Sequence, residues 1–280
     1  MKPGAVLLNI LVAAFAIITI LPLAWMAAVS LMPPGEANNF PPPLWPSHAT
    51  LANYRTLLLT HSGSAGTTDY HIGRAVLNSA VLAVLASGFG LAFTVPAGYA
   101  FAKLRFRGRA RLFQLLLALV AVPGQVGMLP LFLLLKWLGL VNSYAGVLAP
   151  GLAGIYAILL VRQAVLGIPD EMLDAARIDG ASEWRIFMSI VVPLLRPVTV
   201  TLVLFAFLAS WSDFLWPLIV LTDQHLYTLP VALAAMSREH AQDTELMMAG
   251  AVVTTLPVLI VFLGLQRCYF TGMLGGGIKG

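Results

Sequence analysis

The chain has 280 residues, 59% of them hydrophobic and 10% charged, with a net charge of +4. A water-soluble globular domain is about 25% charged, so this composition excludes a water-facing globule and points to an integral membrane protein. No basic patch suits nucleic acid, and the single Cys268 excludes an internal disulfide.

A transmembrane helix needs about 20 mostly apolar residues. The first run, Pro3–Gly35, follows Lys2 and resembles the start of a secretory signal. A signal's apolar core is only about 7–15 residues long, so a retained helix over 5–32 is expected. The outer segment Pro33–Gly73 is rich in Pro, Gly and Ser, and Pro41, Pro42 and Pro43 cannot continue a helix. The run Ala75–Ala102 predicts a second span over 75–102. The cluster Lys103, Arg105, Arg107, Arg109 and Arg111 then reads as a topology determinant with lipid contact alongside. A third span is expected over 112–135, with Gly124 and Gly127 beside Pro123 as kink or packing residues. After the short turn Lys136–Ser143 comes a fourth span over 143–165.

The connection 167–197 is unlike the rest. It holds five of the twelve acidic residues: Asp170, Glu171, Asp174, Asp179 and Glu183. Pro169 suits a first helical turn, the acids complement the positive end of the helix dipole, and Gly180 offers a carboxyl-terminal cap. A helix of about three turns over Pro169–Asp179 follows. Ser182 caps the next helix, and Pro193 and Pro197 bend the approach to span five. Met172, Ala176 and Asp179 are expected on one face, and the small Ala175 and Ala176 let a partner come close. Anionic headgroups repel such an acidic cluster, so a protein partner suits it better than a lipid surface.

Span five over 198–221 is interrupted only by Asp213, and the polar segment Asp223–Glu245 leads to span six over 246–267. The runs are too long for barrel strands of about 10 residues and do not alternate. The expected fold is therefore all-α: one membrane domain, 1–280, with six spans. Positive charge sets the orientation. With the amino terminus inside, twelve of the sixteen Lys and Arg face the cytoplasm, leaving Arg55, Arg74, Lys136 and Arg238 outside. Both termini and the 167–197 loop then lie on the cytoplasmic side. His48, His61, His71, His225 and His240 all fall in outer segments without ligand spacing, and no metal site is expected.

Asp174-Ala175-Ala176, Gly180, Ile190 and Val192-Pro193 match, in spacing, the EAA loop of ABC-transporter permease subunits. Asp174 stands where the family has Glu, and Val192 where it has Leu. The chain resembles the carbohydrate-importer branch, in the subunit like the maltose permease's smaller partner. Asn53-Tyr54, Asn78-Ser79, Tyr99-Ala100-Phe101-Ala102-Lys103, Ile178-Asp179-Gly180-Ala181-Ser182, Trp211-Ser212-Asp213-Phe214 and the tail Phe270-Thr271-Gly272-Met273 through Gly280 carry the likeness.

The resemblance implies a permease subunit in the bacterial inner membrane, pairing with a second permease, two cytoplasmic ATPases and an extracytoplasmic solute-binding protein. ATP and Mg would sit on the ATPases, and this chain would bind no cofactor and catalyse nothing. Glu171, Asp174, Ala175, Ala176, Asp179 and Gly180 would form the ATPase-coupling face, with spans three to six rocking as that helix moves. Asp213, Trp211 and Asn78 are candidates for the substrate path. Against each stands a structural role: a hydrogen bond for Asp213, a lipid-interface belt for Trp211 and Trp216, and helix bridging for Asn78 and Gln125. The same machinery carrying glycerol phosphate is the alternative cargo. A secondary transporter or channel would need further membrane carboxylates, and only Asp213 fits.

Overall fold

The computed structural model describes residues 3–59, 71–239 and 243–277, with 3, 5, 6, 59, 239 and 267–277 as backbone alone. Lys2, His61, His240 and Lys279 lie outside the described residues, and most of the tail motif falls in the backbone-only part. The described elements are helical, in the order α1 (Pro3–Ser30), α2 (Ala52–Leu59), α3 (Ile72–Lys103), α4 (Arg109–Val120), α5 (Met128–Trp137), α6 (Tyr144–Leu148) and α7 (Ile155–Leu166). There follow α8 (Asp170–Ile178), α9 (Glu183–Ile186), α10 (Val192–Leu194), α11 (Arg196–Trp211), α12 (Leu215–Val220), α13 (Leu229–Glu239) and α14 (Thr244–Gly277). A π-helical stretch, Phe187–Val191, joins α9 to α10. The chain divides into two compact units. One is drawn from the chain up to Val76 with Leu229–Pro257, the other from Leu77–Thr228 and from Val258 onward.

In the first unit, α1 is apolar on every side, and Leu7 through Trp25 are exposed along its length. Such a helix has no reason to form in water and every reason to form in lipid, where its backbone must bond to itself. Only its last turn is buried, around Ala28 and Val29. There Asn53 Nδ2 donates to the carbonyls of Ser30 and Met32, at 3.0 and 2.8 Å, satisfying oxygens a helix end leaves open. Tyr54 Oη pairs with Ser30 Oγ at 2.7 Å. The Asn53-Tyr54 motif is thus the clasp on the end of α1. Glu245, 2% exposed, accepts the Ala37 N–H at 2.7 Å, tying the same loop to the start of α14. The segment 223–245, expected as a polar connection, holds the apolar helix α13, with Leu229, Val231 and Ala232 buried. Its apolar run Leu229–Met236, eight residues, was too short to register as a span.

In the second unit three helix pairs are sharply bent: those beside Pro123 and between Pro193 and Pro197 follow the expected kinks, and the span expected over 143–165 is corrected from continuous to broken. The helices 109–120 and 124–137 meet at 99°, 144–151 and 155–166 at 45°, and 183–194 and 196–211 at 77°. Each break has a backbone cause. Pro123 with Gly124 and Gly127 opens the first, Pro150-Gly151 with Gly154 the second, and Leu195 between Pro193 and Pro197 the third. The span expected over 198–221 is itself broken at Ser212–Phe214, before α12. Among the described residues three helices are long and apolar enough to cross a bilayer alone: Leu7–Ser30, Ile72–Lys103 and Thr244–Gln266. The count reaches six if each bent pair crosses once.

A buried core joins α3, α7, α8 and α9 through Val95, Tyr99, Val161, Val165, Leu173, Ile186 and Phe187. Gly98 sits where α3 crosses α7: a Cβ there would lie 2.5 Å from Val161 Cγ1.

Candidate functional site

The polar helix expected over 169–179 is α8, and its ends are built as the sequence indicates. Asp170 and Glu171 occupy the first turn. At the other end Gly180 has φ +82°, the left-handed conformation glycine adopts without a Cβ penalty. The N–H of Ala181 reaches the carbonyl of Ala176, and that of Gly180 the carbonyl of Arg177, each at 3.0 Å. This is a Schellman closure. Ser182 Oγ then accepts the Arg185 N–H at 3.3 Å, so a second helix begins two residues on.

The faces differ from expectation in one respect. Leu173 is fully buried and Ala176 packs against the same core, so Ala176 faces inward, three residues from Leu173. Ala175 is the small residue left open. Around it lie Met172, half exposed, Asp174 and Asp179, exposed, and Ile178, 87% exposed. The isoleucine is thus bare at the end of an acidic helix whose other side packs on the core.

Two contacts fix α8 to the rest, and sequence reasoning missed both. Lys103 Nζ, on a side chain only 8% exposed, donates to the Ile168 carbonyl at 2.7 Å and to Asp170 Oδ1 at 2.6 Å. Arg177 bridges Asp174 at 2.6 Å and Glu183 at 2.7 Å, and Tyr99 Oη donates to the other oxygen of Glu183 at 2.8 Å. The cluster at Lys103 was expected to determine topology and touch lipid; Lys103 itself is committed to α8. The i, i+4 pair Tyr99 and Lys103 was the available signal.

The hydrogen bond and charge of Lys103 hold Asp170 below the usual carboxylate range. The Arg177 hydrogen bond does the same for Glu183, and Glu183 with Asp174 pushes Arg177 up. A depressed carboxylate stabilises the fold above its ordinary pKa, and that contribution is lost as pH falls through the depressed value. Lowering pH from about 6 to about 3 is therefore expected to reduce the protection of the amides over 170–183 relative to their intrinsic exchange rates. Equal protection at both values would show that these pairs do not hold α8.

A cavity of about 860 Å³ lies in the same unit, lined from α3, α7, α11 and the breaks between helices. Its walls are mainly apolar, with Ser87, Thr94, Gln125, Tyr156, Ser210 and Thr228 as polar groups, and Asp213 as the one charged residue among those lining it. Thr228 is buried, and its hydroxyl has no hydrogen-bond partner among the described residues. Asp213 lies in the break before α12, where Oδ1 faces the Trp216 N–H at 3.4 Å. Ser87 and Thr94, seven residues apart on α3, form a polar stripe that periodicity could have revealed.

Two of the three path candidates do not line this cavity. Trp211 is 1% exposed, stacked on Phe207 at 5.8 Å, and does not line the cavity. Asn78 donates to the carbonyls of His225 and Tyr227 at 2.9 Å and accepts the Tyr144 hydroxyl at 2.6 Å, which occupies its amide in bridging. Nor do Trp211 and Trp216 form a lipid belt. The break at Ser212–Phe214 turns both indoles inward, and Trp216 Nε1 donates to the Gly146 carbonyl at 3.1 Å. Among the described residues no group of three or more His, Cys, Asp or Glu is placed to hold a metal.

Residues 94–273 match the family described as binding-protein-dependent transport system inner membrane component. The arabinooligosaccharides transport system permease protein AraQ of Halalkalibacterium halodurans is 37% identical, over 98% of this chain and 96% of its own. The sn-glycerol-3-phosphate transport system permease protein UgpE of Pectobacterium atrosepticum is 31% identical, over 85% of each. In fold, the chain is similar to a chain of a bacterial ABC transporter involved in importing the acidic polysaccharide alginate. That match has a TM-score of 0.80 and 22% identity, over 94% of this chain and 95% of that one.

Proposed function

The chain belongs to the binding-protein-dependent transport system inner membrane components, and from that premise we propose that it is one of two permease subunits of an ATP-driven importer of a sugar or oligosaccharide. It crosses the bacterial inner membrane six times, with both termini and α8 cytoplasmic. The second permease completes the path, a binding protein outside delivers cargo, and two ATPases inside carry ATP and Mg. The observation that carries the reading is the outward face of α8: Met172, Ala175 and Ile178, ringed by Glu171, Asp174 and Asp179, on a glycine-capped helix. The likeness to the arabinooligosaccharide permease supports the cargo class. So does the cavity, whose polar lining is neutral apart from one carboxylate and includes no cation. Hydroxyls suit such a lining; a phosphate would have to find its positive partners on the other permease.

Purification of the tagged chain from native membranes is expected to bring an ATPase and a second permease with it, and a ligand screen of the cognate binding protein then identifies the cargo. A chain that purifies alone and transports solute without ATP would be a secondary transporter instead. Within the cavity, Asp213→Leu removes the carboxylate at similar bulk and should lower uptake about tenfold, the scale of one hydrogen bond to a charged group. Unchanged uptake would leave Asp213 only its place beside the Trp216 N–H.

A further inference from the structure

Resting on that reading of α8 as the coupling helix, we infer that α3 is the element to which it is fixed, so that its displacement is delivered first to the second span. The attachment is at two points, one near each end of α8, and both come from adjacent turns of α3. Lys103 holds the leading end through the Ile168 carbonyl and Asp170. Tyr99, four residues earlier, holds the trailing end through Glu183, which Arg177 shares across the Gly180 turn. A single contact would let α8 pivot; two contacts at opposite ends fix its direction as well as its position.

Packing supports the same connection. Leu173 of α8 and Tyr99 of α3 belong to one buried core, and the Tyr99 ring lies 5.3 Å from that of Phe187 just beyond α9. Gly98 brings α7 against the same turn of α3. The second span therefore belongs with α7, α8 and α9 as one mechanical body. Tyr99 and Lys103 act here as positioning residues, since the nucleotide and the solute are handled elsewhere.

The test uses the full transporter with its ATPases and binding protein in nanodiscs, comparing wild type with the double variant Tyr99→Phe/Lys103→Met. Amide exchange over 170–183 should rise at least about tenfold, and so should the ATP hydrolysed per solute moved, tenfold being the scale of just one of the three charge-assisted hydrogen bonds that the variant removes. A loss of folded protein alone lowers hydrolysis and transport together and leaves their ratio unmoved. Lys103→Arg with Tyr99 intact keeps a donor at both acceptors and should stay near the wild-type ratio. Unchanged exchange would mean that α3 does not hold α8, and faster exchange at an unchanged ratio would mean that the attachment carries no drive; either overturns the inference. The coupling reading fails separately, if Ile178→Asp leaves ATPase association and stimulation intact.

Discussion

Replacing Ile178 with aspartate is expected to weaken association with the ATPase about a hundredfold while the chain still inserts and folds. The side chain is 87% exposed and makes no part of the core, so the folded chain loses little. Burying an isoleucine on a partner contributes roughly 2 kcal/mol, and an unpaired carboxylate forced into that contact costs more. Asp174 and Asp179 already stand nearby, and a further negative charge at the carboxyl end of α8 opposes the helix dipole by about 0.3–1 kcal/mol. The measurement is co-purified ATPase per chain, beside binding-protein-stimulated hydrolysis. Ile178→Leu keeps the apolar surface and should remain near wild type. If aspartate and leucine behave alike, the exposed isoleucine is not a contact.

The second large effect is expected at Gly98. An alanine there places Cβ 2.6 Å from Val161 Cβ and 3.1 Å from the Arg162 backbone nitrogen, as well as against Val161 Cγ1. Alanine favours a helix over glycine by about 1 kcal/mol. Overpacking of a filled core costs about 1–3 kcal/mol, and here one of the opposing atoms is backbone, which cannot swing away. The clash should win, separating α3 from α7 and lowering both the melting temperature in detergent and uptake. Val161→Ala leaves its own Cβ in place and should not rescue Gly98→Ala; Val161→Gly should do so in part. Rescue by alanine would mean that the helices shift easily and that the crossing is not tight.

The α8 segment was legible because its signals are local. Pro169, the acids of the first turn, Gly180 and Ser182 each act within one turn of the helix they start or stop. Kinks beside Pro123 and between Pro193 and Pro197 were legible, but their sharpness, and the break at Pro150-Gly151, were not. A proline or glycine inside an apolar run permits a kink, a break or a straight helix re-satisfied by neighbours, and hydropathy scores all three alike. The tryptophans show the same limit: Trp211 and Trp216 suit an interface by type, and only the turn at Ser212–Phe214 directs them inward. Lys103 and Tyr99 find partners 67 and 84 positions away. Their i, i+4 spacing places them on one face of α3 but does not name the partners, whereas the neutral polar stripe on α3 was open to a reading by periodicity.

The bareness of α1 has a consequence for how its sequence is free to drift. Its side chains from Leu7 to Trp25 touch almost nothing in their own chain, so they are answerable to the surrounding medium rather than to particular neighbours. Leu, Ile, Val and Phe are near-synonyms there, and a saturation library should recover them in any order. A charge at the centre of the same helix, costing about 2.5–3.5 kcal/mol on the insertion scale, should be purged. At its last turn, where Asn53 and Tyr54 grip the backbone and Val29 is enclosed, the alphabet should narrow abruptly to single letters.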